Sequence, residues 1–252
     1  MTGVATDDEL RARIHTLESE LAQRTEEAAE KELQLQRYAA DLRDTFMEER
    51  TRSQELRRSY MLTVRALASA VEARDAYTGR HAERVAAYGL AIADVYGMRL
   101  SDQPEIEFGF LLHDAGKVAV PDAILFKPGP LTAAERLVMQ QHPVTGSEIV
   151  REIEFLGAAR DVIRSHHERW DGSGYPDGLA GEDIPLSARV FAVADTLDAL
   201  TTRRPYREPS SIAEARAVIY AGSGTHFDPD VIIAFRALPD SVIETIYERI
   251  GR

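Results

Sequence analysis

Phe108-Gly-Phe-Leu-Leu-His113-Asp114-Ala-Gly-Lys117 is an apolar run that ends in two adjacent ionisable side chains. Arg189-Val-Phe-Ala-Val-Ala-Asp195-Thr-Leu-Asp198-Ala-Leu200 sets acids among apolar neighbours in the same way. Burying such groups is costly unless something pairs with them, and a bound cation is the strongest partner available. Helical spacing puts Phe191, Asp195, Asp198 and Thr202 on one face, so the second run is predicted to be a helix carrying its acids inward. Outward from these two stretches, segments 82–96, 104–115, 133–141, 144–152, 158–167, 186–202, 211–221, 229–237 and 241–249 read as helices. Capping boxes at Thr132/Glu135 and Ser211/Glu214, and Asp228 before Pro229, mark three helix starts. No alternating run is bounded by hairpin turns, so the expected fold class is all-α.

Residues 8 to about 70 lack Pro and Gly and favour helix throughout. Leu10, Ile14, Leu17 and Leu21 follow alternating steps of four and three, the pattern of a coiled-coil seam. The register continues through Arg24, Ala28, Lys31, Leu35, Tyr38 and Leu42, and then fails unless a stutter shifts it to Phe46. A long polar helix needs a partner in water, which favours a parallel homodimer over a solitary solvated helix. From Leu62 onward (Leu62, Val64, Leu67, Val71) the helix is expected to enter a globular core. The expected division is a dimerisation helix over 1–61 and a globular domain over 62–252.

The net charge of −12 repels polyanions, and no basic stripe suits a nucleic-acid polymer. A phosphate-bearing ligand must therefore be small and held by local charge. No apolar stretch approaches a membrane span, and the absence of cysteine removes disulfides and thiolate ligands. The N-terminus is unlike a secretory signal, and the expected location is cytoplasmic.

His142, His166, His167 and Asp195 join His113 and Asp114 as candidate metal ligands. Nitrogen and oxygen donors without sulfur suit iron, manganese, zinc or nickel. Six exceed what one ion with open positions needs, so two metals sharing a bridging carboxylate are expected, a geometry used for in-line displacement at phosphorus. Taken alone, His142 reads better as a satisfied core histidine and Lys117 as a solvated charge at a helix end; the other segments change both readings. His166 and His167 would point about 100° apart on a regular helix, serving two ions or one ion and the substrate. Asp198 is expected to orient a ligand or an arginine. His226 reads as structural and His15 as a polar surface residue. Residues 171–185, with four glycines and two prolines, form a long loop of the kind that is commonly functional.

His113-Asp114-Ala-Gly-Lys117, His166-His167-Glu168-Arg-Trp-Asp171-Gly172-Ser-Gly174-Tyr175-Pro176 and Ala194-Asp195-Thr-Leu-Asp198-Ala-Leu-Thr together resemble the HD-GYP family of cyclic di-GMP phosphodiesterases, a branch of the HD phosphohydrolase superfamily. The resemblance runs from about Leu62 to the C-terminus and leaves out the first 60 residues. It implies an HD-type helical bundle with extra C-terminal helices. It also implies metal ligation by His113, Asp114 (bridging), His142, His166, His167 and Asp195. By the same resemblance Lys117 contacts the scissile phosphate, and Tyr175, Arg204 and Arg207 touch the nucleotide. Some relatives carry a glutamate four residues before the position of His81, completing a third metal site. Here that residue is Tyr77, which implies two metals and leaves His81 to touch substrate or orient a ligand.

The expected activity is hydrolysis of cyclic di-GMP to linear pGpG, or on to GMP, by water activated between two ions, iron or manganese first, with zinc and nickel as alternatives. The alternatives are a hydrolase of another cyclic dinucleotide or nucleotide, and a non-enzymatic receptor or adaptor for cyclic di-GMP. Regulation is expected to come through the helical stalk or an upstream signalling protein.

Overall fold

A computed structural model of the chain describes residues 6–74, 80–99, 105–203 and 208–251. Tyr77, Arg204 and Arg207 lie outside the described residues. The chain divides into two compact units, Met1–Ser59 and Tyr60–Arg252. Among the described residues all regular structure is helical apart from one isolated bridge between Ser223 and Phe227. None of these helices is long and apolar enough to cross a membrane.

The first unit is helix throughout its described part, the opening of α1 (Asp7–Glu72), with Asp7, Asp8 and Glu9 in its first turn complementing the helix dipole. Leu10, Ile14, Leu17 and Leu21 are all exposed.

In the second unit the end of α1 contributes Val64 and Ala68 to the core. Leu62 and Leu67, expected to enter that core, are instead 61% and 53% exposed. At helical spacing Leu62 lies nearly opposite Val64 and Ala68, while Leu67 flanks Val64 at the edge of the covered face. Tyr60 stacks on Phe155, with ring centroids 4.4 Å apart.

Around these, α2 (His81–Tyr96) packs against α8 (Leu186–Thr201) and α3 (Glu105–Leu112), while α7 (Gly157–Ser165) packs against α3. Short helices α4 (Asp122–Leu125) and α5 (Ala133–Met139) lead to α6 (His142–Ile149). Helices α9 (Ile212–Ala221), α10 (Pro229–Ala237) and α11 (Asp240–Ile250) complete the bundle, with α10 and α11 against α2. Phe110, Phe191, Phe235, Ile92, Leu197 and Ile219 are fully buried, each contributing roughly 1.5–3 kcal/mol of apolar transfer.

The predicted caps form. Thr132 and Ser211 each accept from the amide three residues on while Glu135 and Glu214 reach back, and the Asp228 side chain accepts from Asp230 N. Each such cap is worth about 1 kcal/mol. Helix ends differ from expectation where the site lies. α3 stops at Leu112 and α7 at Ser165, so His113-Asp114 and His166-His167 all occupy turns. α6 begins at His142 rather than at residue 144.

Candidate metal centre

Three of the histidines are held by one device. His113 Nδ1 donates to Phe110 O (2.9 Å), His142 Nδ1 to Met139 O (2.8 Å) and His166 Nδ1 to Ile163 O (2.8 Å). A carbonyl can only accept, so each Nδ1 carries a proton, and a ring that is neutral then keeps its lone pair on Nε2. All three rings are buried. Gly116 makes their approach feasible, because a Cβ there would collide with the backbone carbonyl of His142.

Ligand-type atoms gather into two groups, each within 4.8 Å of one another: His142, His166 and His167, and His81, His113 and Asp195. Asp114 lies between them. Its Oδ2 is 3.1 Å from His113 Nε2 and 2.8 Å from Lys117 Nζ, and its Oδ1 is 3.4 Å from His142 Nε2. All six residues proposed as ligands from sequence therefore converge. His81 joins them, its Nε2 3.4 Å from Asp195 Oδ1.

His81 is in turn fixed from behind. Its Nδ1 donates to Asp198 Oδ2 at 2.7 Å, and Arg84 forks onto the same carboxylate at 2.6 Å and 3.1 Å. Asp198 and Arg84 are both buried, so each charge depends on the other. The Glu72 side chain accepts from Ala82 N at 2.6 Å, in the first turn of α2, where Arg80 adopts a left-handed conformation and supplies no side-chain cap. Arg84 and Glu72 escape a sequence reading. The signal for Arg84 is its position three residues after His81, on the same helix face.

Electrostatics separate the rings. Burial, then the neighbouring His167, His142 and His113, hold His166 well below the usual imidazole range. Burial, then His142, brings His167 down to about 3. Burial also lowers His142, although Asp114 opposes it. Burial disfavours the His113 imidazolium too, but Asp114 and Asp195 outweigh it and the net shift is upward. Burial works against the Asp114 carboxylate, yet Lys117, His113 and His142 hold it well below its ordinary value. His142, His166 and His167, held towards the neutral form beside the ionised Asp114 carboxylate, are donors of the kind a divalent cation needs.

The glycine loop closes over His167. Tyr175 N donates to His167 O (3.3 Å), and the Tyr175 ring stacks on the imidazole at 4.7 Å and 29°. Gly174 permits the contact, since a Cβ there would lie 2.5 Å from Glu168 Cα and 2.6 Å from His167 O. Burial raises the Tyr175 phenol well above its usual range, so it stays a protonated donor. His226 is partly buried and stacked on Phe227 at 4.2 Å.

A cleft of about 210 Å³ opens onto the cluster, lined among others by Glu72, His81, Asp114, Lys117, Asp195 and Arg203. The donor set fits metal on its own geometry: His142 Nε2 and His166 Nε2 lie 3.1 Å apart although both rings have placed their proton on the other nitrogen.

A family model for the HD domain matches residues 65–231. The chain is 46% identical over 202 residues to a probable cyclic di-GMP phosphodiesterase of Vibrio cholerae, covering 73% of this chain and 45% of that protein. It is 43% identical over 199 residues to the 3′3′-cGAMP-specific phosphodiesterase 2 of Vibrio cholerae, covering 74% of this chain and 38% of that protein. It is 41% identical over 229 residues to the cyclic di-GMP phosphodiesterase response regulator RpfG of Xanthomonas campestris, covering 90% and 57%. The chain thus spans about half the length, or less, of these curated relatives. The crystal structure of a cyclic GMP-AMP specific phosphodiesterase of V. cholerae shares the fold, with a TM-score of 0.59 at 22% identity over 75% of this chain and 52% of that one. The matched span takes in both ligand groups and the loop over His167, and the chain belongs to the HD domain family, in its HD-GYP branch.

Proposed function

We propose that the chain is a metal-dependent phosphodiesterase that hydrolyses cyclic di-GMP to linear pGpG. The observation that carries this reading is the Asp114 carboxylate shared between two groups of ligand atoms, with Lys117 Nζ 2.8 Å from one of its oxygens. His142, His166 and His167 would hold one divalent ion and His113 with Asp195 a second, Asp114 joining them. His81 turns Nε2 to the second group and so belongs beside a metal rather than at the rim. We assign iron or manganese, among the first-row metals that nitrogen and oxygen donors without sulfur suit. Bound there, two such ions would lower the pKa of a coordinated water and offset charge on the phosphoryl oxygens.

The residues supply the rest. Lys117 can move from Asp114 to a non-bridging oxygen as the phosphodiester enters, stabilising the charge that grows in the transition state. The cleft's 210 Å³ is below the roughly 300–1,000 Å³ that encloses a drug-sized ligand. The phosphodiester would therefore enter while the nucleosides lie across the mouth, and we assign one of them to Tyr175, which stacks on the lining residue His167. Arg204 and Arg207 are assigned to the second phosphate, which their guanidinium forks suit.

Similarity to a 3′3′-cGAMP-specific enzyme supports a second reading, hydrolysis of the mixed dinucleotide. Protein loaded anaerobically with Fe(II) or Mn(II) and offered a panel of cyclic dinucleotides tests both. Cleavage of cyclic di-GMP in preference to the others, abolished by Asp114→Ala, is expected. Tight binding without cleavage would make the protein a receptor. We assign residues 1–61 to parallel dimerisation and 62–252 to catalysis, with regulatory input from a signalling partner through the helix.

A further inference from the structure

Glu168 follows the last histidine of the cluster and is 3% exposed. Its Oε1 accepts from two consecutive loop amides, Asp177 N at 2.7 Å and Gly178 N at 3.1 Å, while its Oε2 has no hydrogen-bond partner among the described residues. Burying a carboxylate is costly, so what it holds matters. The two amides come directly after Tyr175-Pro176, and Tyr175 is the residue stacked on His167. On the other side, Gly174 presses against the backbone of residues 167–169. Tyr175 is thus fixed between an upstream anchor of close backbone packing and a downstream anchor made by one carboxylate. A separate fork from Arg164 onto Asp177 (2.7 and 2.8 Å) ties the loop to α7 and does not depend on Glu168.

We propose that Glu168 is a positioning residue that sets Tyr175 over His167 for substrate recognition, an inference that rests on the phosphodiesterase reading in which Tyr175 touches the nucleotide. The role assigned to the carboxylate is indirect. The side chain acts by clamping the peptide that follows the tyrosine, so the ring meets the incoming nucleoside already oriented.

The test compares Glu168→Ala and Glu168→Gln in the full-length, Mn(II)-loaded protein, alone and combined with Tyr175→Ala. Glu168→Ala should raise KM for cyclic di-GMP by about tenfold or more, with a smaller change in kcat and unchanged metal per chain. Glu168→Gln keeps the accepting oxygen and should bring KM back to within about threefold of the parent. In the Tyr175→Ala background, Glu168→Ala should add less than about a twofold further effect, because both changes act through one ring. An equal KM increase with and without Tyr175, or joint loss of kcat and metal, would overturn the proposal and leave Glu168 a merely structural residue. Hydrogen exchange of the 171–185 peptide, measured without nucleotide, decides the anchoring separately. Faster exchange in Glu168→Ala, restored in Glu168→Gln, supports it. Unchanged protection overturns it whether or not cyclic di-GMP proves to be the substrate.

Discussion

The Nε2 atoms of His142 and His166 face each other across 3.1 Å while both rings donate Nδ1–H to a backbone carbonyl three residues earlier. Two lone pairs at that separation repel, and burial together with the neighbouring rings keeps His166 neutral rather than letting a proton bridge the pair. A shared cation converts the repulsion into coordination. Metal should therefore act as a ligand of the folded state. At a hundredfold excess over Kd, mass action contributes about 2.7 kcal/mol, or roughly 5–10 °C in Tm for a domain of this size. Thermal melts with chelator and with added Mn(II) should differ by that order, and Asp114→Asn should cut the shift by more than half. An undiminished shift in Asp114→Asn would mean that Asp114 does not link the two groups.

Gly116 is where fold and site depend on the same atom. A methyl group there meets the His142 carbonyl and the Gly146 amide, so Gly116→Ala must push α6 away from the turn that carries Asp114. Overpacking of this kind costs about 1–3 kcal/mol. Urea denaturation should show that loss together with weaker metal binding. Stability lost without any loss of metal affinity would show that α6 moves independently of the site.

Arg84 and Asp198 form a buried pair, with side chains 6% and 1% exposed. Removing the guanidinium leaves a carboxylate in the core with His81 as its remaining side-chain partner among the described residues, and breaking such a pair costs about 3–5 kcal/mol. Arg84→Ala should lower stability by that order and depress kcat as His81 loses its alignment. Replacing Arg84 and Asp198 together by apolar residues of similar volume should recover most of the stability without the activity. Recovery of both would show that the pair does not orient His81.

Much of this centre is legible in the sequence because its ligands interrupt apolar helices, and an acid such as Asp195 among valines and alanines needs a cation or several donors to stay ionised. The caps at Thr132, Ser211 and Asp228 are legible for the same local reason: each is a pattern within four residues. The end of α7 is not. No glycine or proline follows until Gly172, so the periodicity runs on through His166 and His167, whereas the helix stops at Ser165. Arg84 and Asp198, separated by 114 residues, cannot be paired from one chain. Leu62 and Leu67 show the opposite error, since apolarity alone does not say which face of a helix is covered.

Acid sensitivity is predicted away from the metal ligands. Hydrogen bonds from the Lys127 ammonium and from Thr132 bring Glu135 down to about 2 from the ordinary carboxylate value of 4.5. A carboxylate with a depressed folded pKa contributes stability above its unfolded value and loses that contribution as pH falls through the folded one. Glu135→Gln keeps an acceptor for the capping box but removes the charge. The urea midpoint of the parent should exceed that of the variant at pH 7, and the gap should narrow between about pH 4.5 and pH 2. A gap independent of pH would assign the effect to packing instead of to the ion pair.

Leu10, Ile14, Leu17 and Leu21 stand exposed on α1 at coiled-coil spacing, between 47% and 67% accessible. An apolar seam left bare on a polar helix is unfavourable in water, and a second copy in parallel register would bury each position against its twin. Ile14→Glu with Leu17→Glu places like charges at facing positions and should yield a monomer by light scattering at micromolar concentration. Deleting residues 1–55 should have the same effect. Mass per particle unchanged in both would move dimerisation away from the helix. If the second unit keeps its phosphodiesterase turnover as a monomer, the helix serves assembly rather than chemistry. A matching loss of turnover would mean that one protomer completes the cleft of the other.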